Sequence, residues 1–268
     1  MKKLFLQMAL FALCAQSVFL NAQAKEEANS YRVGFSTGWV NYLEPGYISF
    51  YGLMYGVDEV VQLSFLSKFD VRIESSAQFG NIQYDGSVKD TTTGQIAPLK
   101  AGAYDYLLVG RVIPEYNFYS SDKAEYFFKL GVGGRYLNDR VNSTSGYLRE
   151  VAYVFLPLGG RMEYRYSESS IFGLDLEYDL FVFGKVKSHL SDTNPANPDV
   201  TNTQSSGAGI RIQLEYRLLL GSTWYGIKPY FQWWGIGSSD AAPYTTGLVL
   251  IEPQNSSSFA GVSLDMEL

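Results

Sequence analysis

Apolar and polar side chains alternate along most of the chain, the period-2 signature of strands with one face toward an apolar medium and the other toward polar surroundings. Between residues 171 and 187, Phe172, Leu174, Leu176, Tyr178, Leu180 and Val182 fall on one face, and Asp175, Glu177, Asp179, Lys185 and Lys187 on the other. The next run repeats this, with Ala208, Ile210, Ile212, Leu214, Tyr216 and Leu218 opposed to Arg211, Gln213, Glu215 and Arg217. These runs are roughly twice the 5–6 residues usual for strands of globular sheets. Their length and two-faced character suit the wall of a transmembrane barrel, apolar outward and polar inward.

Ten strands are predicted, at 31–40, 52–66, 68–80, 103–117, 123–137, 148–166, 169–187, 206–219, 223–237 and 256–268. The stretch from Gly46 to Gly56 reads as a loop or as an extra strand, and Glu59 falls on the apolar face of the second strand. Tight turns at Ser67, 119–122, Ser167-Glu168 and Gly221-Ser222 alternate with longer segments at 41–51, 81–102, 138–147, 188–205 and 238–255, rich in Ser, Thr, Asn, Asp, Gly and Pro. Outer-membrane barrels keep short turns on the periplasmic side and longer loops outside. The expected fold is therefore all-β, a transmembrane antiparallel up-and-down barrel of about ten strands with both termini periplasmic.

The first 24 residues interrupt the alternation. Lys2 and Lys3 lead an apolar run over 4–20, interrupted by Gln7 and Gln16 before it closes on Ala22-Gln23-Ala24. That is the pattern of a secretory signal, so cleavage is expected near Ala24, leaving a barrel domain over 25–268 in the bacterial outer membrane. Cleavage removes the sole cysteine, Cys14, and with it any disulfide, thiolate metal site or cysteine nucleophile. Loss of Lys2 and Lys3 takes the net charge from −6 to −8, the wrong sign for nucleic acid. No later segment has the roughly 18 unbroken apolar residues of a membrane helix. A content of 16% aromatics with 26 glycines fits a barrel with interfacial girdles. The partners expected are outer-membrane lipid, lipopolysaccharide and the outer-membrane assembly machinery.

The predicted inward face carries both charge signs: Arg72, Glu74, Arg111, Arg135, Arg161, Glu163, Asp175, Glu177, Asp179, Arg211, Glu215 and Arg217, together with Asp70, Asp105, Glu115, Lys129, Arg165 and Lys228. In a barrel of about ten strands the lumen is little wider than its side chains, so a paired structural network is favoured over an aqueous path, which in porins takes about 16 strands. A narrow pore for small solutes is the runner-up. A barrel-embedded hydrolase is third, resting on the single His189 beside Ser188. Its position after Lys187-Ser188, and the spacing of Asp85 and Asp90, do not match the omptin pattern, and no base, orienting partner and nucleophile converge. No catalytic set, cofactor or metal site is expected. Tyr126, Phe128, Phe172, Tyr178 and Tyr225 are assigned to the outer girdle, and Tyr230 and Trp234 to packing of the lumen. Any recognition is left to the loops.

Several motifs add to this picture: Gly146-Tyr147-Leu148-Arg149-Glu150, Leu156-Pro157-Leu158-Gly159, Leu176-Glu177-Tyr178-Asp179-Leu180, the stretch 184–192, the aromatic strand from Pro229 to Trp234, and Glu252-Pro253-Gln254-Asn255. With Gln78 to Gly86 in the first half, they resemble a little-characterised family of Gram-negative outer-membrane β-barrels. The resemblance implies fold and location and carries over no activity. The last segment, with Gly261 followed by Leu264, Met266 and Leu268 on one face, resembles the C-terminal signal read by the assembly machinery, except that such signals usually finish with Phe or Trp.

Overall fold

The computed structural model describes residues 29–89, 96–245 and 247–268; the expected signal segment and Asp90 lie outside them. Fourteen strands follow in chain order. The first four are β1 (Ser30–Glu44), β2 (Ile48–Leu66), β3 (Phe69–Lys89) and β4 (Ile96–Ser120). Next come β5 (Ala124–Leu130), β6 (Val132–Val141), β7 (Leu148–Ser167), β8 (Ser170–Ser188) and β9 (Val200–Gln204). The chain finishes with β10 (Gly207–Leu220), β11 (Thr223–Ile236), β12 (Ala242–Thr245), β13 (Leu248–Leu250) and β14 (Asn255–Glu267).

Twelve of these form one antiparallel sheet, while β12 and β13 make a separate hairpin. The sheet closes on itself where β1 meets β14, in register from Arg32 opposite Glu267 to Leu43 opposite Ser256. Closure leaves no free edge in the wall. The strand count exceeds the ten expected because two wall strands are interrupted. β5 and β6 are split at Gly131, whose N–H still donates to Pro157 O at 2.9 Å, and both pair with β4 and β7. β9 and β10 are split at 205–206, and both pair with β8.

Two expected loops are largely strand. β1 and β2 run up to a turn at 45–47, where Tyr47 N–H donates to Glu44 O at 3.0 Å and Gly46 takes the left-handed φ of 81° that glycine tolerates. β3 and β4 stay paired out to Lys89 opposite Ile96. The reason is common to both. Beyond the apolar band the outward residues become polar, as at Asn81, Gln83 and Asp85, while Ile82 and Tyr84 still point inward and are buried. The apolar phase has changed faces, and a reader following the outward stripe loses the strand.

A third correction concerns β8. Phe155 of β7 faces Phe181 while Val154 faces Phe183, so Val182 is an extra residue in a β-bulge. Below the bulge Asp175, Glu177 and Asp179 point inward; above it the inward positions are Gly184, Val186 and Ser188. Lys185 and Lys187, expected on the inward face, therefore stand on the outer wall. The start of β1 and the end of β14 lie at one end of the barrel, where Leu268 N–H donates to Tyr31 O at 2.8 Å. This is the terminal end; the opposite one, carrying the longer connections, is the loop end. Between them the outer wall exposes apolar side chains, among them Trp39, Leu176, Ile212 and Leu264, with Tyr126, Phe128, Phe172, Tyr178 and Tyr225 also exposed.

Candidate functional site: the filled lumen and its rim

Inward-pointing side chains divide the lumen into a charged half and an apolar half. In the charged half, Arg72 reaches Glu74 at 2.9 Å, Asp175 at 3.8 Å and Glu115 at 3.9 Å. Glu74 also accepts from Arg111 at 3.2 Å and Arg211 at 3.0 Å. Lys129 bridges Asp175 and Glu177, the latter at 2.7 Å. Arg161 pairs with Glu115 at 2.7 Å and with Glu163, and its guanidinium lies 4.0 Å from the centre of the Phe127 ring. Arg217 holds Glu163 at 2.8 Å. Removing charges from water costs several kcal/mol per ion, offset here because most carboxylates have two or more cationic neighbours.

Some candidates depart from this pattern. Asp179 is fully buried, and neither of its carboxylate oxygens accepts a hydrogen bond from a donor among the described residues. Arg135 forms no ion pair among the described residues; it donates to Ser257 at 3.2 Å and lies over Tyr153. Arg165 is exposed at the terminal end. Gly261 sits where a Cβ would meet Thr37 O at 2.5 Å, while Leu264 and Met266 of β14 and Leu268 just beyond it are exposed. Glu59 stays on the outer face, where it accepts from Ser75 at 3.1 Å and Tyr31 at 3.4 Å.

Sequence reasoning missed the pairs of Arg32 with Glu215 and of Lys228 with Asp265, and the whole Arg149 cluster described below. Arg32 was legible as the in-phase start of Gly34, Ser36 and Gly38. Arg149 was hidden because two of its acidic partners, Glu44 and Glu252, come from far along the chain.

Toward the loop end the lumen is filled by apolar side chains. One cluster joins Val40, Tyr42, Phe50, Met54, Ile82, Tyr84, Ala103, Leu107 and Phe259; a second joins Val151, Tyr153, Phe155, Val186, Trp234 and Ile236. Their rings meet edge-on, Phe50 to Tyr84 at 5.0 Å and Phe155 to Trp234 at 5.0 Å, a favoured aromatic geometry. Between this plug and the charged half lies a cavity of about 80 Å³ lined by Asp58, Arg72, Glu74, Arg211, Lys228 and Tyr230, room for a few waters. The terminal end opens into a larger hollow of about 380 Å³ among Gln62, Asp70, Glu125, Arg161, Glu163 and Glu267.

A single guanidinium roofs the plug. Arg149 holds Glu44 at 2.6 Å, Glu252 at 2.8 Å and Asp139 at 2.9 Å. Glu252 comes from the connection between β13 and β14, so that segment is tied down into the barrel mouth. Burial pushes the Glu252 carboxyl up to about 7; Arg149 opposes this, and the neighbouring Glu44 and Asp139 carboxylates add to it. Three carboxylates share one cation.

On the outer rim His189 is clamped between Glu150, 2.7 Å from Nε2, and Asp199, 3.1 Å from Nδ1. Both ring nitrogens thus face a carboxylate rather than a hydroxyl. Among the described residues no group of three or more His, Cys, Asp or Glu side chains is arranged to hold a metal ion.

No protein-family model and no curated protein sequence matches the chain. Among solved structures, it is similar to the outer-membrane protease OmpT of Escherichia coli, with a TM-score of 0.61 over 91% of this chain and 98% of that one, at 9% identity. The fold is that of an outer-membrane β-barrel. Outer-membrane protein OprG of Pseudomonas aeruginosa (TM-score 0.39, 11% identity, 89% and 95% covered) and Neisserial surface protein A (0.34, 9%, 89% and 98%) align more loosely. At these identities the likeness concerns architecture alone.

Proposed function

We propose that the chain is an integral protein of the bacterial outer membrane that neither conducts nor catalyses. In this reading a signal is cleaved near Ala24, the assembly machinery inserts the barrel with both termini periplasmic, and the loop end faces out to serve a structural or surface-interaction role. The observation that carries it is the plug: Phe155, at 0% exposure, and Trp234, at 2%, fill the lumen beneath the Arg149 roof, so a solute would have to displace a packed core. The His189 clamp supports the non-enzymatic part.

Planar-bilayer recording on refolded protein tests the proposal. Folded barrels, verified by circular dichroism, are expected to give no single-channel steps. Reproducible conductance would replace this reading with that of a narrow pore for small solutes, and proteolytic or lipolytic turnover abolished by His189→Ala would replace it with a hydrolase.

A further inference from the structure

The bulge at Val182 puts two lysines where an apolar wall ends. Val182 and Phe183 are exposed on the outer face, and Lys185 and Lys187 follow them on that same face toward the loop end. On the next strands Lys187 lies opposite Glu150 and Lys185 opposite Ala152, and two strands over from β8 the exposed Arg140 of β6 stands opposite Leu148. Adjacent strands are about 4.8 Å apart and same-face neighbours about 7 Å, so the three cations span a patch about 10 Å across the strands and about 14 Å along them.

The nearby carboxylates are largely committed elsewhere. Glu150 accepts from Tyr136 and faces His189. Asp199 accepts from Ser191 at 2.6 Å and faces His189, leaving Lys187 at 3.6 Å. Asp192 accepts from Leu148 N–H at 3.1 Å, with Arg140 at 3.9 Å. Lys185 makes no ion pair among the described residues.

We propose that Lys185, Lys187 and Arg140 form a binding site for the phosphorylated sugar headgroup of an outer-leaflet glycolipid, whose acyl chains lie along Val182 and Phe183. Lysine stems rest on apolar wall while the ammonium groups reach the polar layer, the usual disposition of such side chains at a membrane boundary. Cations distributed over β6 and β8 match a headgroup bearing two phosphates better than the single phosphate of a glycerophospholipid. The inference rests on the outer-membrane placement proposed above and is tested separately from conductance.

Barrels refolded in detergent are titrated with diphosphoryl lipid A, with its enzymatically dephosphorylated form and with phosphatidylglycerol, and bound lipid is counted by native mass spectrometry. Diphosphoryl lipid A is expected to bind best. Lys185→Ala/Lys187→Ala should weaken it about tenfold, the scale of one charge-assisted contact, while Lys68→Ala/Lys123→Ala at the terminal end should leave it unchanged. Equal binding of the dephosphorylated lipid or of phosphatidylglycerol overturns the proposal, as does unaltered binding by the double variant. Lys185→Gln/Lys187→Gln, which keeps the stems on the wall, serves the same purpose if the alanine variant does not fold.

Discussion

Trp234 lies against Gly209, its partner across the β10–β11 ladder, so closely that a Cβ on Gly209 would stand 2.8 Å from the indole ring. The larger ring of the plug thus depends on the absence of a side chain opposite. Gly209→Val should force the indole out of place and cost about 1–3 kcal/mol, the usual range for overpacking. Trp234→Ala should cost about 3–5 kcal/mol through the cavity it leaves. Both values are read from urea unfolding in detergent, and planar-bilayer recording on the second variant is expected to show intermittent conductance absent from the parent.

Lys129 is the shared cation of Asp175 and Glu177, and all three are buried. Lys129→Met keeps the volume but strands two carboxylates, so a loss of about 3–5 kcal/mol is expected, the cost of breaking a buried pair from one side. Adding Asp175→Asn and Glu177→Gln should recover most of it. Failure of the added pair to recover stability would show that the lysine matters for packing rather than charge.

Asp179 predicts the opposite sign. A buried carboxylate with no hydrogen bond from a neighbour is a cost carried by the folded state. Asp179→Asn is expected to raise the unfolding free energy by about 1 kcal/mol, on the scale of a single buried polar group. A fall of that size would mean that Asp179 is engaged by solvent or by Arg111 and Arg211 in a way its geometry does not reveal.

Glu252 links stability to pH. Its carboxyl titrates near 7 in the folded protein against 4.5 as the ordinary value, so between those values the folded state holds more proton than the unfolded one. The associated stability is complete below about 4.5 and is lost as pH rises through about 7. Hydrogen exchange of the segment 237–254 should accordingly speed up across that window, beyond the intrinsic acceleration, and Glu252→Gln should flatten the profile.

How far the sequence reveals this molecule depends on what each residue type can signal. Long charged runs such as Asp175 to Asp179 announce their inward face, because no lipid-facing strand would carry them, and the closed wall follows from their repetition. Partners are less legible. Arg149 meets Asp139 across the β6–β7 ladder, but Glu44 and Glu252 reach it from far along the chain, a meeting that only barrel closure decides. The plug was half visible: Tyr230 and Trp234 read as lumen packing, whereas Phe50, Ile82 and Tyr84 fell in segments that looked like loops, since outward polarity there erased the contrast on which period-2 reading depends.

Val182, the one extra residue of β8, behaves like a single-base insertion in a coding sequence. Upstream of it the odd-numbered positions are read by the lumen; downstream the even-numbered ones are, and the interruption at 205–206 marks the same shift on the neighbouring strand. Deleting Val182 would therefore rewrite everything up to Ser188 at once. Gly184 and Val186 would leave the plug, and two ammonium groups would take their place inside it.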